Sequence, residues 1–446
     1  MLFLHYWRAD LMRHLGFLLI FVLFLAQTSE AGDSPLVVPD DYPTIEEAFE
    51  SVKDGGIITI KPGKYVLSRT LEIDRDITFQ GSGKPEEIII ACPHSHVFGI
   101  TGGSPVFQNL TVGSSAKKRN GFYVTGGTPK ICSCVLTSPK GGGIFVEGKD
   151  ADPIVEKCVL KNCGGPGACI ILEGRGQFKD CEIYGNKMAG IEVTEAGNPT
   201  VTECQIYEGK GPGVIVSHKG RGKFKDCNIY ENKGTGIEVN ESGDPTFTEC
   251  QIYDGKAGGV FIGKKGRGEF RGCDIYANAL PGIEVNESGN PTFTECSVFN
   301  GKAAGVFIWL DGLGTFNGCE IYRNEKPGVV IQESGNPTFI GCQIHDGKQH
   351  GAVVWNEGRG TFKDCEIYAN ELAGIEVWNF GDLTVTGCNL HDGKSGGIYV
   401  HDKGTGTFNT NTLSKNYRDG KLSNWAIEFN AGKVKGSGNT PEMPKR

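Results

Sequence analysis

Three of the five tryptophans lie at one position of a repeated motif, which makes them the first candidates for ligand chemistry. Each directly follows a Gly-x-x-Val or Gly-x-x-Ile motif. Aromatic rings stack on the C–H groups of sugars, and carboxylates accept hydrogen bonds from hydroxyls. The sequence therefore predicts a carbohydrate-binding surface centred on Trp355 and Trp378. The predicted ligand-binding residues are Trp309, Trp355, Trp378, Phe307, Tyr399, Glu376 and His401.

A structural role for the same aromatic residues is the alternative. Aromatic pairs on a sheet face stabilise each other across strands by about 0.2–1 kcal/mol. A side loop or the C-terminal tail would serve equally well as a cover over these rings. Neither alternative needs a ligand.

A column of glutamates suggests a second chemistry. Glu192, Glu238 and Glu284 recur every 46 residues, and Glu376 continues the register. If the repeats stack as parallel strands, residues two repeats apart are separated by roughly 9.6 Å. This is the upper end of the roughly 6.5–9.5 Å between the carboxyl groups of inverting glycosidases. A catalytic pair normally occurs once, so the regular recurrence favours a scaffold motif over an active site.

The elements that position these residues are set by a 23-residue repeat. Eleven cysteines, from Cys158 to Cys388, are each 23 residues apart. The repeats contain a Phe or Val, a Cys-x-Ile motif or a close variant of it, and a Gly-x-x-Val or Gly-x-x-Ile motif, separated by clusters of Gly, Asn, Asp and Pro. Such segments are typical of short strands between turns. No repeat contains ten helical residues, so the sequence predicts an all-β, right-handed parallel β-helix rather than a helical solenoid.

Stacked coils bring equivalent side chains into columns that run along the solenoid. Two inward columns are expected, one through Ile183 and Ile252 and one through Ile237 and Val306. The step from Phe247 to Cys250 has the wrong parity for one straight strand, so a bend is expected between them. The cysteines then point inward as buried free thiols, because free Cys behaves as a small hydrophobic residue.

The two ends of the array differ from its middle. Residues 43–52 have the apolar spacing of a short amphipathic helix that would cap the first coil. The predicted organisation is a signal peptide at 1–31, an N-terminal cap at 32–56, irregular coils at 57–157, regular repeats at 158–430 and a disordered tail at 431–446.

Composition narrows the functional classes. An apolar run of about twelve residues, preceded by Arg8 and Arg13, favours a secretory signal cleaved near Ala31 over a spanning helix. We therefore expect a secreted or periplasmic protein with no transmembrane segment in the mature chain. The net charge of −8 argues against nucleic acid as a partner. No metal or cofactor motif stands out, and a monomer is expected.

Residues 38–83 (VPDDYPTIEEAFESVKDGGIITIKPGKYVLSRTLEIDRDITFQGSG) resemble the N-terminal start of right-handed β-helix proteins of the pectate-lyase-like superfamily. The coils that follow resemble the repeats of that superfamily, so the similarity covers about residues 36–430. Members include polysaccharide lyases, epimerases and hydrolases, and the shared fold does not imply a shared function. The Asp-Pro-His-Asp motif of alginate epimerases and the Trp-Ile-Asp-His motif of pectate lyases are absent.

These observations predict an exported β-helix protein with a non-catalytic surface for polysaccharide or envelope glycan. An enzyme acting on polysaccharide, as a lyase, C5-epimerase or glycoside hydrolase, is the alternative. A rigid scaffold for protein interaction is a third possibility, since a functional site normally disturbs the repeat on which it lies.

Overall fold

The computed structural model describes residues 34–444, which form three long parallel sheets around one core. Each coil contributes one strand to each sheet, in the order A, B, C. Sheet A has 18 strands, and sheets B and C have 16 each. The predicted right-handed parallel β-helix is confirmed.

The strand bounds follow the repeat. Sheet A comprises Leu36–Val38, Ile57–Ile60, Thr78–Gly81, Val106–Gln108, Lys130–Cys132, Ile154–Glu156, Gln177–Lys179, Thr200–Thr202, Lys223–Lys225, Thr246–Thr248, Glu269–Arg271, Thr292–Thr294, Thr315–Asn317, Thr338–Ile340, Arg359–Lys363, Asp382–Thr386, Thr405–Asn409 and Val434–Ser437. Sheet B comprises Gly63–Val66, Ile88–Cys92, Thr111–Ser114, Val135–Leu136, Val159–Lys161, Glu182–Tyr184, Gln205–Tyr207, Asn228–Tyr230, Gln251–Tyr253, Asp274–Tyr276, Ser297–Phe299, Glu320–Tyr322, Gln343–His345, Glu366–Tyr368, Asn389–His391 and Thr412–Ser414. Sheet C comprises Leu71–Ile73, Phe98–Ile100, Phe122–Val124, Ile144–Glu147, Ala168–Ile171, Ile191–Val193, Val214–Val216, Ile237–Val239, Val260–Ile262, Ile283–Val285, Val306–Ile308, Val329–Ile331, Ala352–Val354, Ile375–Val377, Ile398–Val400 and Trp425–Ile427.

The register between coils is 23 residues, as the repeat predicts. Phe247 pairs with Phe270 in sheet A, and Ile252 pairs with Ile275 in sheet B. Both predicted inward columns of Ile and Val are buried. Successive phenylalanine rings of sheet A stack with centroids 4.5–5.2 Å apart from Phe224 to Phe362. The core is therefore a set of continuous apolar columns.

The expected bend before the cysteine column is made by a residue with positive φ. Glu249 has φ of 53° and separates the strand of sheet A from that of sheet B. The thiol of Cys250 then points inward and donates to the carbonyl oxygens of Phe224 and Thr248, at 3.7 and 3.4 Å. All sixteen cysteines lie within the described residues and are free, and all except Cys132 are buried. Burial raises the pKa of the Cys158 thiol well above its usual value.

The N-terminal cap is helix α1 (Ile45–Ser51). The Thr44 hydroxyl accepts a hydrogen bond from the backbone N–H of Glu47 at 3.2 Å, which satisfies one free donor at the helix start. Ile45, Ala48 and Phe49 are buried against the first coils. A one-turn 3₁₀ helix, Pro85–Glu87, is the other helical element of residues 34–444.

Buried asparagines in the turns between sheets B and C join neighbouring coils. The side chain of Asn278 donates to the carbonyl oxygen of Ile252 and accepts from the N–H of Gly255, both at 3.0 Å and both in the preceding coil. Five equivalent residues behave alike: Asn186, Asn232, Asn324, Asn370 and Asn416. The reason is that the turn before each sheet C strand leaves backbone groups that neither sheet pairs.

The C-terminal segment differs from the predicted disordered tail. Val434–Ser437 forms a strand of sheet A and pairs with Gly406–Asn409. The last full coil leaves a row of unpaired backbone groups at its edge, and a following segment of any composition gains hydrogen bonds there. A short antiparallel hairpin, Tyr417–Arg418 with Lys421–Leu422, projects from the same end.

The signal-peptide prediction concerns residues 1–31, which lie outside the described residues. Within residues 34–444, no helix has the length and apolar character needed to cross a membrane.

Candidate functional site

The predicted site lies at the carboxyl ends of successive sheet C strands. Trp309, Trp355, Trp378 and His401 each follow directly after a strand, and the register places Val354 beside Val377 and Val377 beside Val400. The structure therefore aligns these four side chains in one outward column. The neighbouring outward column, which contains Glu376, is half-buried because adjacent coils cover its flanks.

The aromatic rings at the C-terminal end form a continuous stack. The rings of Trp355 and Trp378 are 5.2 Å apart with an interplanar angle of 3°, and those of Trp378 and His401 are 6.0 Å apart at 1°. Tyr399 stacks on His401 at 4.3 Å. The facing sides of these rings therefore cover each other, which leaves the ring edges of the stack for contact with a ligand.

Trp309 belongs to a second, separate aromatic group. Its ring stacks on Phe307 at 6.0 Å, and its Nε1–H donates to Glu284 Oε1 at 3.0 Å. Burial raises the pKa of the Glu284 carboxyl, and the hydrogen bond from Trp309 opposes that rise. Gln332 occupies the coil between Trp309 and Trp355. The column of rings thus has a gap one coil wide, with positions on its two sides roughly 9.6 Å apart.

A cluster of titratable groups lies beside the stack, and it joins the predicted Glu376 and His401 to His350, which sequence analysis missed. Glu376 is held between two imidazoles: its Oε1 lies 3.2 Å from His401 Nε2, and its Oε2 lies 3.4 Å from His350 Nε2. All three side chains are less than 20% exposed. His350 breaks the repeat, because the position before this glycine holds Ala, Pro, Thr or Gly in the other regular coils. This departure from the repeat was the sequence signal that could have identified His350.

His350 lies in a desolvated environment beside Glu376. Burial lowers the pKa of its imidazole, the Glu376 carboxylate opposes this change, and His401 adds to it. Its Nδ1 is buried and has no hydrogen-bond partner among the described residues. A carboxylate between two imidazoles has the composition of a proton-transfer site.

The C-terminal hairpin covers one end of the stack. The guanidinium of Arg418 lies over the ring of Tyr399, 4.7 Å from its centroid. The hydroxyl of Tyr399 donates to Glu428. At its other end the stack adjoins Gln332, in the coil before Trp355.

A separate column on sheet B confirms that stacking alone can account for outward aromatic rings. Ten residues spaced by 23 stack with centroids 4.5–5.2 Å apart. They are Tyr184, Tyr207, Tyr230, Tyr253, Tyr276, Phe299, Tyr322, His345, Tyr368 and His391. Stacking of the tryptophan rings is therefore not by itself a sign that they bind a ligand.

Comparison with solved structures places similar chains among carbohydrate-active proteins. The A-module of mannuronan C-5 epimerase AlgE6 from Azotobacter vinelandii is 14% identical, with 86% of this chain and 90% of that chain covered and a TM-score of 0.41. The periplasmic alginate epimerase AlgG is 14% identical, with 91% and 84% covered and a TM-score of 0.36. Pectate lyase Pel9A is 18% identical, with 67% and 70% covered and a TM-score of 0.33. Likeness at this level carries no argument about activity.

The family assignment comes from the sequence of the repeats. The family model described as right handed beta helix region matches residues 95–244, 189–312 and 308–437. These matches cover most of the chain and follow the same coils that form sheets A, B and C. The chain belongs to the right-handed β-helix family.

Proposed function

We propose that this is an exported, monomeric β-helix protein that binds a polysaccharide, without transforming it, through the aromatic surface of sheet C. The observation that carries this proposal is the gap at Gln332 between the rings of Trp309 and Trp355. The stack on sheet B continues without such a gap. A column formed only for packing has no need of one.

The Gln332 side chain itself occupies the position midway between the two tryptophans, roughly 4.8 Å from each along the column. That spacing is close to the 5.2 Å between the rings of Trp355 and Trp378. A sugar bound here would lie on the solvent side of Gln332, with its C–H groups against Trp355 and its hydroxyls within reach of the Gln332 amide.

The charges around the gap favour a neutral sugar. Glu284, Glu376 and Glu428 are each within hydrogen-bond distance of an aromatic or imidazole side chain of the surface. An anionic sugar beside Trp309 would meet the like charge of Glu284, which costs affinity. Carboxylates and amides accept hydrogen bonds from neutral hydroxyls at no such cost.

Replacing Trp355 and Trp378 together with alanine should weaken polysaccharide binding by at least about thirtyfold, since stacked aromatic residues dominate such contacts. Trp355→Ala alone should cost more than Trp378→Ala alone, because only Trp355 faces the gap. Affinity electrophoresis of residues 32–446 across neutral and acidic polysaccharides would measure both effects.

The matched control is the double variant Tyr230→Ala with Tyr253→Ala. These rings stack at 5.0 Å on sheet B, so their removal tests the loss of a stack away from the surface. Binding should be unchanged in this control. If the tryptophan variant keeps full affinity with an unchanged melting temperature, the aromatic surface binds no polysaccharide.

An enzyme acting on polysaccharide is the second candidate, and the cluster of His350, Glu376 and His401 favours it. Glu376→Gln keeps the shape of the side chain but removes the charge that the two imidazoles share. If the protein is an enzyme, this change should abolish the release of shortened or unsaturated products while retaining most of the affinity. Absence of products from the unaltered protein on every polysaccharide that it binds would exclude this candidate.

A further inference from the structure

Four cationic side chains line a groove in the turns that connect sheet C to sheet A. Lys219, Arg221, Lys265 and Arg267 face a cavity of about 520 Å³. The turns that carry them stay in register, because Arg221 N donates to Gly197 O and Arg267 N donates to Gly243 O, both at 2.8 Å. The two Lys and Arg pairs are thus two coils apart, roughly 9.6 Å along the solenoid.

None of these four side chains makes an ion pair or a hydrogen bond with another of the described residues 34–444. Two other cations on the same ridge are paired with carboxylates. Arg175 lies 3.5 Å from Asp152, and Lys264 lies 3.7 Å from Glu241. Unpaired cations that face one groove repel each other, so their placement favours an external anion.

The repeat alone does not explain this grouping. Arg359 occupies the same turn position as Arg221 and Arg267, but Glu357 stands where their coils have Lys219 and Lys265. Two coils therefore combine both cations, and they lie on either side of a single intervening coil. That intervening coil contributes the one carboxylate of the groove, Asp244.

We propose that this groove binds a linear, extended polyanion, a polysaccharide whose acidic groups recur at about the two-coil spacing of roughly 9.6 Å. The guanidinium groups of Arg221 and Arg267 would each hold one acidic group through paired N–H donors, with Lys219 and Lys265 adding charge. Carboxylates and sulfate esters are both anions that accept such paired hydrogen bonds. The polymer lies along the solenoid axis, as the row of cations does.

This groove is distinct from the aromatic surface in both position and charge. It carries four cations and one carboxylate, whereas the aromatic surface carries three carboxylates, Glu284, Glu376 and Glu428, and the guanidinium of Arg418. Its ligand is therefore anionic, and the inference does not rest on the proposed function. Loss of anion binding and loss of neutral-polysaccharide binding would be separate results.

The test compares three variants of the full chain against size-fractionated oligomers of dextran sulfate and of polygalacturonate, with neutral dextran as the reference. Arg221→Gln with Arg267→Gln should weaken binding of the acidic oligomers by at least about tenfold. Asp244→Asn should tighten it several-fold, since it removes the only negative charge of the groove. Arg359→Gln, at the same turn position outside the groove, should leave affinity unchanged.

Oligomer length and salt complete the test. Oligomers long enough to reach both arginines should bind much more tightly than those that reach one, because the second contact is intramolecular. Preference between the two polymers identifies the acidic group as sulfate or carboxylate. Three results would each overturn the proposal. The first is an equal loss of affinity in the Arg359 variant and the double arginine variant. The others are an affinity that does not depend on oligomer length, and no binding of either polymer in dilute salt.

Discussion

Replacing Asn278 with aspartate should lower the free energy of unfolding by about 3–5 kcal/mol at pH 7. The Asn278 amide is 1% exposed and joins two coils through Ile252 O and Gly255 N–H. An ionised carboxylate cannot donate to the Ile252 carbonyl, and it would place a negative charge against that oxygen. Urea unfolding of the described fold measures the loss.

The same variant should recover stability in acid, which separates this mechanism from a simple loss of packing. Burial raises the pKa of an introduced carboxyl, so the folded protein binds its proton more tightly than the unfolded chain does. The stability is therefore fully present below the ordinary Asp pKa and is lost as pH rises through the raised value in the folded state. Urea unfolding between pH 4 and pH 8 would follow this change.

Asn336→Asp is the matched control, because Asn336 is exposed in the turn between sheets C and A. This substitution should lower the free energy of unfolding by less than about 0.5 kcal/mol at any pH in this range. Similar losses at both positions, or a pH-independent loss for Asn278→Asp, would show that the buried amide does not hold the coils together.

Gly259→Ala should destabilise the protein by about 3 kcal/mol or more, because the added methyl group has no space. A Cβ at this position would lie 2.5 Å from Ile275 Cγ2, 2.6 Å from the carbonyl oxygen of Gly282 and 2.9 Å from Asn278 Nδ2. Two of these three contacts are with backbone or with the amide that joins the coils, so neither can move freely. The melting temperature gives a direct measurement.

Gly272→Asn provides the control for the glycine prediction. Gly272 has φ of 56°, and its nearest neighbour to a Cβ is Glu249 Cγ at 3.9 Å. The equivalent positions one coil away on either side are Glu249 and Glu295, which adopt the same positive φ. The control should therefore cost less than about 1 kcal/mol. If both variants lose a comparable amount of stability, the cause is the backbone freedom of glycine and not contact between coils.

The sequence predicts the coil, its strands and its core with few errors because each rests on a short, repeated pattern. The 23-residue spacing of Cys158 to Cys388 fixes the register, and the alternation around Ile252 and Val260 fixes which side chains face inward. The capping helix was likewise predictable from the spacing of its apolar residues. The tail was not, because its strand depends on an edge of sheet A supplied by residues 406–409.

The candidate site was only partly predictable for the same reason. The tryptophan column follows from the repeat, and ligand binding by it stays a prediction. The contact between His350 and Glu376 spans adjacent coils and was not visible in either motif alone. The overlap of the Trp355 and Trp378 faces depends on side-chain orientation, which a spacing pattern does not contain.

The sequence by itself thus determined the architecture, because a solenoid's contacts repeat between equivalent positions and identical spacing forces identical neighbours. Only the tertiary structure decided which outward side chains are free. Contacts between residues more than twenty positions apart in the chain decide three features. These are the gap at Gln332, the partners of Asn278 and the unpaired state of Arg221 and Arg267. Those contacts are set by side-chain geometry between coils, and they determine where a ligand can bind.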